Sequence, residues 1–186
     1  MERQVRDIAI HYEEVGSGRP LFMLHGRPSD HRLMLHTMEP LFASRSGWRR
    51  IYPDLPGLGR TRGADWITNQ DHMLDIVLEF VDAIAPGERF VIAGLSYGGL
   101  LARGVVYRRS KLIDGLLLIV PRVETDKAKQ NYPAPQVLAE DAEFLSALAP
   151  DEQDIRNLLV VHSRELLELF RSTMKPANAI ADRELI

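Results

Sequence analysis

The chain contains no cysteine. Disulfides, thiolate metal sites and a cysteine nucleophile are therefore excluded. The compartment stays open on this count, because missing thiols suit reducing and oxidising surroundings alike. Long apolar runs are lacking as well. The longest, Leu116 to Val120, is far short of the roughly 20 residues that a membrane-spanning helix needs. Neither sign of charge dominates: 23 basic residues face 26 acidic ones, for a net charge of −3. That balance gives no electrostatic reason to expect nucleic acid or an anionic membrane as partner. The N-terminus, Met1-Glu2-Arg3-Gln4-Val5-Arg6-Asp7, is charged and has no apolar core of a secretory signal. A soluble, cytoplasmic protein is the resulting expectation.

What is present fits an ordinary globular domain: 186 residues, 45% hydrophobic and 26% charged. Short apolar runs alternate with segments of helical period. Val5–Tyr12 alternates polar and apolar residues as a half-exposed edge strand does, and Gly16-Ser17-Gly18 closes it with a turn. Pro20–Leu24, Phe90–Ala93 and Leu116–Val120 are continuous and apolar, the pattern of strands covered on both faces. Arg50-Ile51-Tyr52 is a weaker strand. Helices are expected over Leu33–Phe42, distorted near Pro40, over Met73–Ile84, and over Leu100–Tyr107. Thr68, Asn69 and Asp71 are capping candidates for the second of these, and Pro86-Gly87 ends it. This alternation predicts an α/β fold whose sheet is mostly parallel, with flanking helices and right-handed crossovers. After Pro121 the character changes. Val137–Leu148 and Ile155–Phe170 read as amphipathic helices, and no strand is expected from Pro135 to Phe170. The chain thus divides into a core, 1–121, and a helical segment, 122–186.

The chemistry concentrates in Gly94-Leu95-Ser96-Tyr97-Gly98, which a buried strand enters and a helix leaves. That strand–turn–helix setting gives G-x-S-x-G the meaning of a nucleophile elbow. The turn forces Ser96 into a strained backbone region, and Gly94 and Gly98 remove Cβ atoms that would clash. The serine oxygen then stands at the carboxyl end of the sheet, above a helix N-terminus that favours a developing oxyanion. A Gly/Ser-rich connection with no chemistry is the competing reading, and the flanking strand and helix decide against it.

Two further loops follow strands. His25-Gly26-Arg27-Pro28 comes after Pro20–Leu24 and can supply an oxyanion N–H, that of Arg27, beside the Tyr97 N–H that follows the nucleophile. His25, with Gly26, is read as loop support rather than as a proton acceptor, because it lies too early in the chain to be the usual base. Asp54-Leu55-Pro56-Gly57-Leu58-Gly59-Arg60-Thr61 hints at a dinucleotide fingerprint, but its third glycine is misplaced and no apolar helix opens there. A tight turn returning the chain to the sheet suffices, and no cofactor is expected. His31 and His36, five residues apart, fall about 140° apart around a helix axis. They cannot share a ligand face, and no metal is expected.

The ordered set HGRP, DLPGLGRT and GLSYGG resembles the α/β-hydrolase superfamily, in its esterase-like branch with a helical lid. The likeness is strong over 3–121 and loose over 122–186. It implies an oxyanion hole at the H-G-x-P loop, a nucleophile at Ser96 and a lid over an apolar acyl pocket. Haloalkane dehalogenase and epoxide hydrolase branches, which place Asp at the nucleophile position, are disfavoured. In the family's order an acid and then a histidine follow the serine, each after a later strand. Two such strand–helix units, about 60 residues at roughly 30 each, are not evident here. His162 is the single histidine after Ser96 and is expected mid-helix as a packing residue; Glu124 and Asp126 are possible acids. The chain therefore reads as the N-terminal portion of a longer serine hydrolase acting on an ester or related acyl substrate. Alternatives left open are a non-catalytic small-molecule binder or inactive fragment, and acyl transfer, C–C cleavage or perhydrolysis at the same serine. An incomplete core is expected to leave a sheet edge exposed and to promote self-association.

Overall fold

The computed structural model describes residues 1–124, 126–129, 131, 134 and 136–185. Its first strands, β1 (Glu2–Val5) and β2 (Ile8–Val15), form a hairpin in which Val5 faces Ile8. The single strand expected over Val5–Tyr12 is therefore broken. Arg6 adopts φ 52° and turns the chain over two residues, with neither Gly nor Asn to announce it. β3 (Arg19–Leu24) follows, buried from Pro20 onward, and leads to α1 (His31–Phe42). Asp30 caps α1 by accepting from the Arg32 amide, and Pro40 lies in its last turn. β4 (Trp48–Pro53) is joined by a long loop to α2 (Gln70–Ile84), whose cap is Asn69. β5 (Phe90–Leu95), α3 (Tyr97–Arg108) and β6 (Ile113–Ile119) complete the core.

The strands order as β1-β2-β4-β3-β5-β6. β4, β3, β5 and β6 are mutually parallel, and the β1–β2 hairpin adds antiparallel to β4. Helices cover the sheet and bury two apolar clusters. The larger joins Phe22, Ile51, Phe80, Phe90 and Ile92 to α2 and α3; the smaller packs Met34 and Met38 of α1 on Met23 and Tyr52. This is the expected α/β fold with a mostly parallel sheet. One expectation fails within it. Leu116, Leu117 and Leu118 are 40%, 44% and 36% exposed, because β6 is the end strand and nothing pairs with its outer side among the described residues.

Beyond Pro121 the two long helices do not form. β7 (Ala139–Glu140), α4 (Ala142–Ala147), α5 (Ile155–Leu158), β8 (Val161–His162), α6 (Arg164–Ser172) and α7 (Met174–Ile180) replace them. β7 and β8 pair in parallel, so a small strand pair exists where none was expected. Pro135, where that expectation began, lies outside the described residues. Phe144, Ile155 and Leu167 bury a separate cluster here. Leu185 reaches back into the larger core cluster, and the Asp182 amide donates to the Gly57 carbonyl at 2.8 Å. No helix is long and apolar enough to cross a membrane among the described residues.

Candidate active site

Ser96 stands between β5 and α3 with φ 50° and ψ −109°, a region that non-glycine residues seldom enter. Its backbone is held from several sides. The Ser96 amide donates to Ile119 O at 3.0 Å, and its carbonyl accepts from Gly99, Leu100 and Arg122. Close approach explains the flanking glycines. A Cβ on Gly94 would lie 2.3 Å from Gly98 O, and one on Gly98 would lie 2.3 Å from Leu24 O. The passage of β3 past the elbow therefore requires Gly98, and the closure of the elbow on itself requires Gly94. The first intrahelical bond is made by the Gly99 amide, so the amides of Tyr97 and Gly98 are open at the helix N-terminus. The Ser96 side chain does not cap α3 and is half-buried.

The His25–Pro28 loop lies directly against the elbow: a Cβ on Gly26 would come within 3.3 Å of Ser96 Cβ. The Gly26 carbonyl is turned into its own loop, where it accepts from Ser29 Oγ at 3.0 Å and from His25 Nδ1 at 2.7 Å. The Arg27 N–H, on the opposite side of that peptide plane, is thereby fixed facing out of the loop. His25 Nε2 accepts from the Leu55 amide at 3.0 Å. Both ring nitrogens are thus engaged by backbone, and the ring is fully buried. Burial pushes its pKa down, with nearby Asp54 partly opposing, so the neutral Nδ1–H form is favoured.

Sequence reasoning treated the Asp54 loop as a bare turn and missed what Asp54 does. Its carboxylate, fully buried, accepts from the His31 amide, from His31 Nδ1 at 2.8 Å and from the Arg60 amide. Burial alone would raise its pKa; these donors and nearby His25 outweigh it and hold the group below the usual carboxylate range. A buried Asp therefore ties the loop after β4 to the start of α1, as His25 ties it to the loop after β3. The D-x-P-G-x-G spacing carried the signal, since an Asp ahead of a glycine turn is well placed to bind that turn's amides.

His162 is not in a helix but in β8, 2% exposed, stacked on Phe144 at 4.7 Å. Its Nδ1 meets Glu140 Oε2 at 2.9 Å and its Nε2 faces the Arg156 and Leu159 carbonyls. Glu124 and Asp126 lie exposed in the loop after β6, where Glu124 accepts from the Asp126 amide. Among the described residues no histidine hydrogen-bonds Ser96. Beside the elbow is an open hollow of about 330 Å³ lined by Arg27, Pro28, Gln70, Tyr97, Arg122, Asn178 and Arg183. Polar and apolar surface line it in near-equal parts. Tyr97 Oη and Gln70 Oε1 are buried in its wall with no hydrogen-bond partner among the described residues. Burial pushes the Tyr97 hydroxyl up to about 12 despite the pull of Arg27 and Arg122.

Comparison with known proteins agrees with this geometry. The alpha/beta hydrolase family model matches residues 21–183. The AB hydrolase superfamily protein YisY of Bacillus subtilis is 28% identical over 131 residues, which are 68% of this chain and 46% of that protein. The pimeloyl-[acyl-carrier protein] methyl ester esterase of Shewanella woodyi is 29% identical over 136 residues, 71% of this chain and 48% of the esterase. The crystal structure of an alpha/beta superfamily hydrolase from Oenococcus oeni superposes on all of this chain and 68% of its own, with a TM-score of 0.86 at 25% identity. The chain spans about half the length of the curated relatives it matches. Elbow, facing loop, sheet order and these matches together place the chain in the alpha/beta hydrolase family.

Proposed function

We propose that the protein is a serine hydrolase whose nucleophile is Ser96 and whose substrate is an ester or related acyl compound. The single observation that carries this reading is Ser96 at φ 50° between a buried parallel strand and a helix N-terminus. Ser96 Oγ attacks the acyl carbonyl. The Tyr97 amide at the head of α3 and the Arg27 amide of the facing loop donate to the oxyanion. His25, Gly26, Gly94 and Gly98 hold these parts in register without touching a proton. A serine hydroxyl is a poor nucleophile until a base takes its proton, and the base needs an acid to orient it. No histidine hydrogen-bonds Ser96 among the described residues, so activity requires that a histidine and its orienting acid be brought to it. A serine rather than an aspartate at the elbow favours acyl chemistry over dehalogenation or epoxide opening. The hollow beside the elbow, with Arg27, Arg122 and Arg183 in its lining, favours a short acyl group with an anionic end.

Hydrolysis of p-nitrophenyl butyrate and of its hemisuccinate counterpart tests the proposal on the protein as its gene encodes it. Turnover that falls at least about 1,000-fold in Ser96→Ala, with the hemisuccinate preferred, is expected. Turnover unchanged by that substitution would overturn the role of Ser96. A preference for the butyrate would overturn the substrate class alone.

A further inference from the structure

His11 and Glu13 lie two residues apart on β2, so both side chains leave the same face of the strand. The ring of His31, at the head of α1, approaches that of His11 with centroids 5.2 Å apart. Both histidines are buried, while Glu13 is partly open to solvent. The ligand atoms of His11, Glu13 and His31 all lie within 4.8 Å of one another. His11 Nε2 stands 3.6 Å from Glu13 Oε1 and has no hydrogen-bond partner among the described residues. An unpartnered ring nitrogen at a buried position is costly unless something occupies its lone pair. His31 is already oriented: Nδ1 donates to Asp54 Oδ1, which leaves the Nε2 lone pair available. Asp54 cannot turn away, because the His31 and Arg60 amides hold it. A carboxylate fixing the far nitrogen of an imidazole is the usual support of a metal-ligating histidine.

We propose that His11, His31 and Glu13 form a binding site for a divalent transition-metal ion, best fitted by Zn²⁺, with Asp54 positioning His31. Two imidazoles and one carboxylate are donors of the right softness and leave a fourth position to water. With bonds of about 2.0–2.1 Å, tetrahedral ligands stand roughly 3.3 Å apart, so the His11–Glu13 pair needs little movement. Glu13 can swing and gives the ion its way in. The Met1 ammonium and Arg60 guanidinium act on the same region and oppose a cation; the carboxylates of Glu13 and Asp54 offset them. A second trio, Asp30, His31 and Asp54, is equally close but its oxygens are spent. Asp30 caps α1 and is gripped by the Arg32 guanidinium, and Asp54 takes three N–H groups.

Titration of the untagged 186-residue chain with Zn²⁺, and with Co²⁺ followed by visible absorption, decides the matter. One equivalent of metal is expected, with Co²⁺ bands of a low-coordinate site that Zn²⁺ abolishes. His11→Gln is expected to weaken Zn²⁺ binding at least about 100-fold, and Glu13→Gln by roughly 10- to 100-fold. A double variant at histidines outside the cluster, His36→Gln with His72→Gln, is expected to bind as the parent does. Circular dichroism without metal checks that His11→Gln folds; if it does not, Glu13→Gln, a partly exposed position, still decides. No stoichiometric binding would overturn the proposal. So would binding that survives Glu13→Gln unchanged, or that is lost in the His36/His72 variant.

Discussion

A methyl group added at Gly98 would lie 2.3 Å from the Leu24 carbonyl, and backbone cannot yield as a side chain tip can. Gly98→Ala is therefore expected to lower unfolding stability by about 2–3 kcal/mol, read from denaturant midpoints. Parent-like stability would show that β3 does not press on the elbow. His25 supplies a test with a defined sign. Its pKa is lowered in the fold, mainly by burial, whereas the unfolded chain takes the proton near pH 6.5. Below that pH the unfolded state binds more protons, so stability falls as pH falls through this window. Thermal unfolding between pH 7.5 and 5.5 should show a falling Tm, with a shallower slope in His25→Asn; a Tm that rises on acidification would contradict this. At this scale the glycines and Ser96 were legible because G-x-S-x-G is a five-residue pattern set between a strand and a helix. His11, Glu13 and His31 were not, because their proximity arises from a strand and a helix head 20 residues apart meeting at Asp54. No local spacing encodes that meeting.

Elements were readable wherever burial and period coincided. The runs at β3 and β5 are apolar because helices cover both faces of a parallel sheet, and α2 shows its period because one stripe faces that sheet. Where no such coincidence exists, the reading failed. The Arg6–Asp7 turn has no Gly or Asn, and a lone left-handed arginine is not foreseeable from composition. From Val137 to Phe170, leucines at helical spacing were mistaken for two long helices. They belong to short helices around Phe144, Ile155 and Leu167, broken by the β7–β8 pair and stitched by His162. β6 has the composition of a central strand but the position of an edge. Its exposed leucines and open backbone edge predict self-association of this chain, by the logic of unprotected edges. Leu117→Lys should shift size-exclusion elution toward the monomer and change stability by no more than about 0.5 kcal/mol. A parent chain that elutes as a monomer at high concentration would count against this.

On the scale of the whole molecule, sheet order and the three strand-end loops converge on one place. β3 delivers His25–Pro28, β4 delivers the Asp54 loop, and β5 delivers Ser96, all at the carboxyl ends of neighbouring parallel strands. Buried hydrogen bonds from His25 and Asp54 fasten the loops to one another, so the frame around the serine is set before any substrate arrives. The alternation of strands and helices made this architecture readable. The arginine-rich lining of the adjoining hollow was not, because its arginines come from positions as far apart as 27, 122 and 183. The central claim is that Ser96 is the nucleophile. Its most direct test is a fluorophosphonate probe applied to the protein as its gene encodes it, followed by peptide mass spectrometry. The account predicts one covalent adduct, on Ser96, absent from Ser96→Ala; no adduct, or an adduct on another residue that persists in Ser96→Ala, would contradict it.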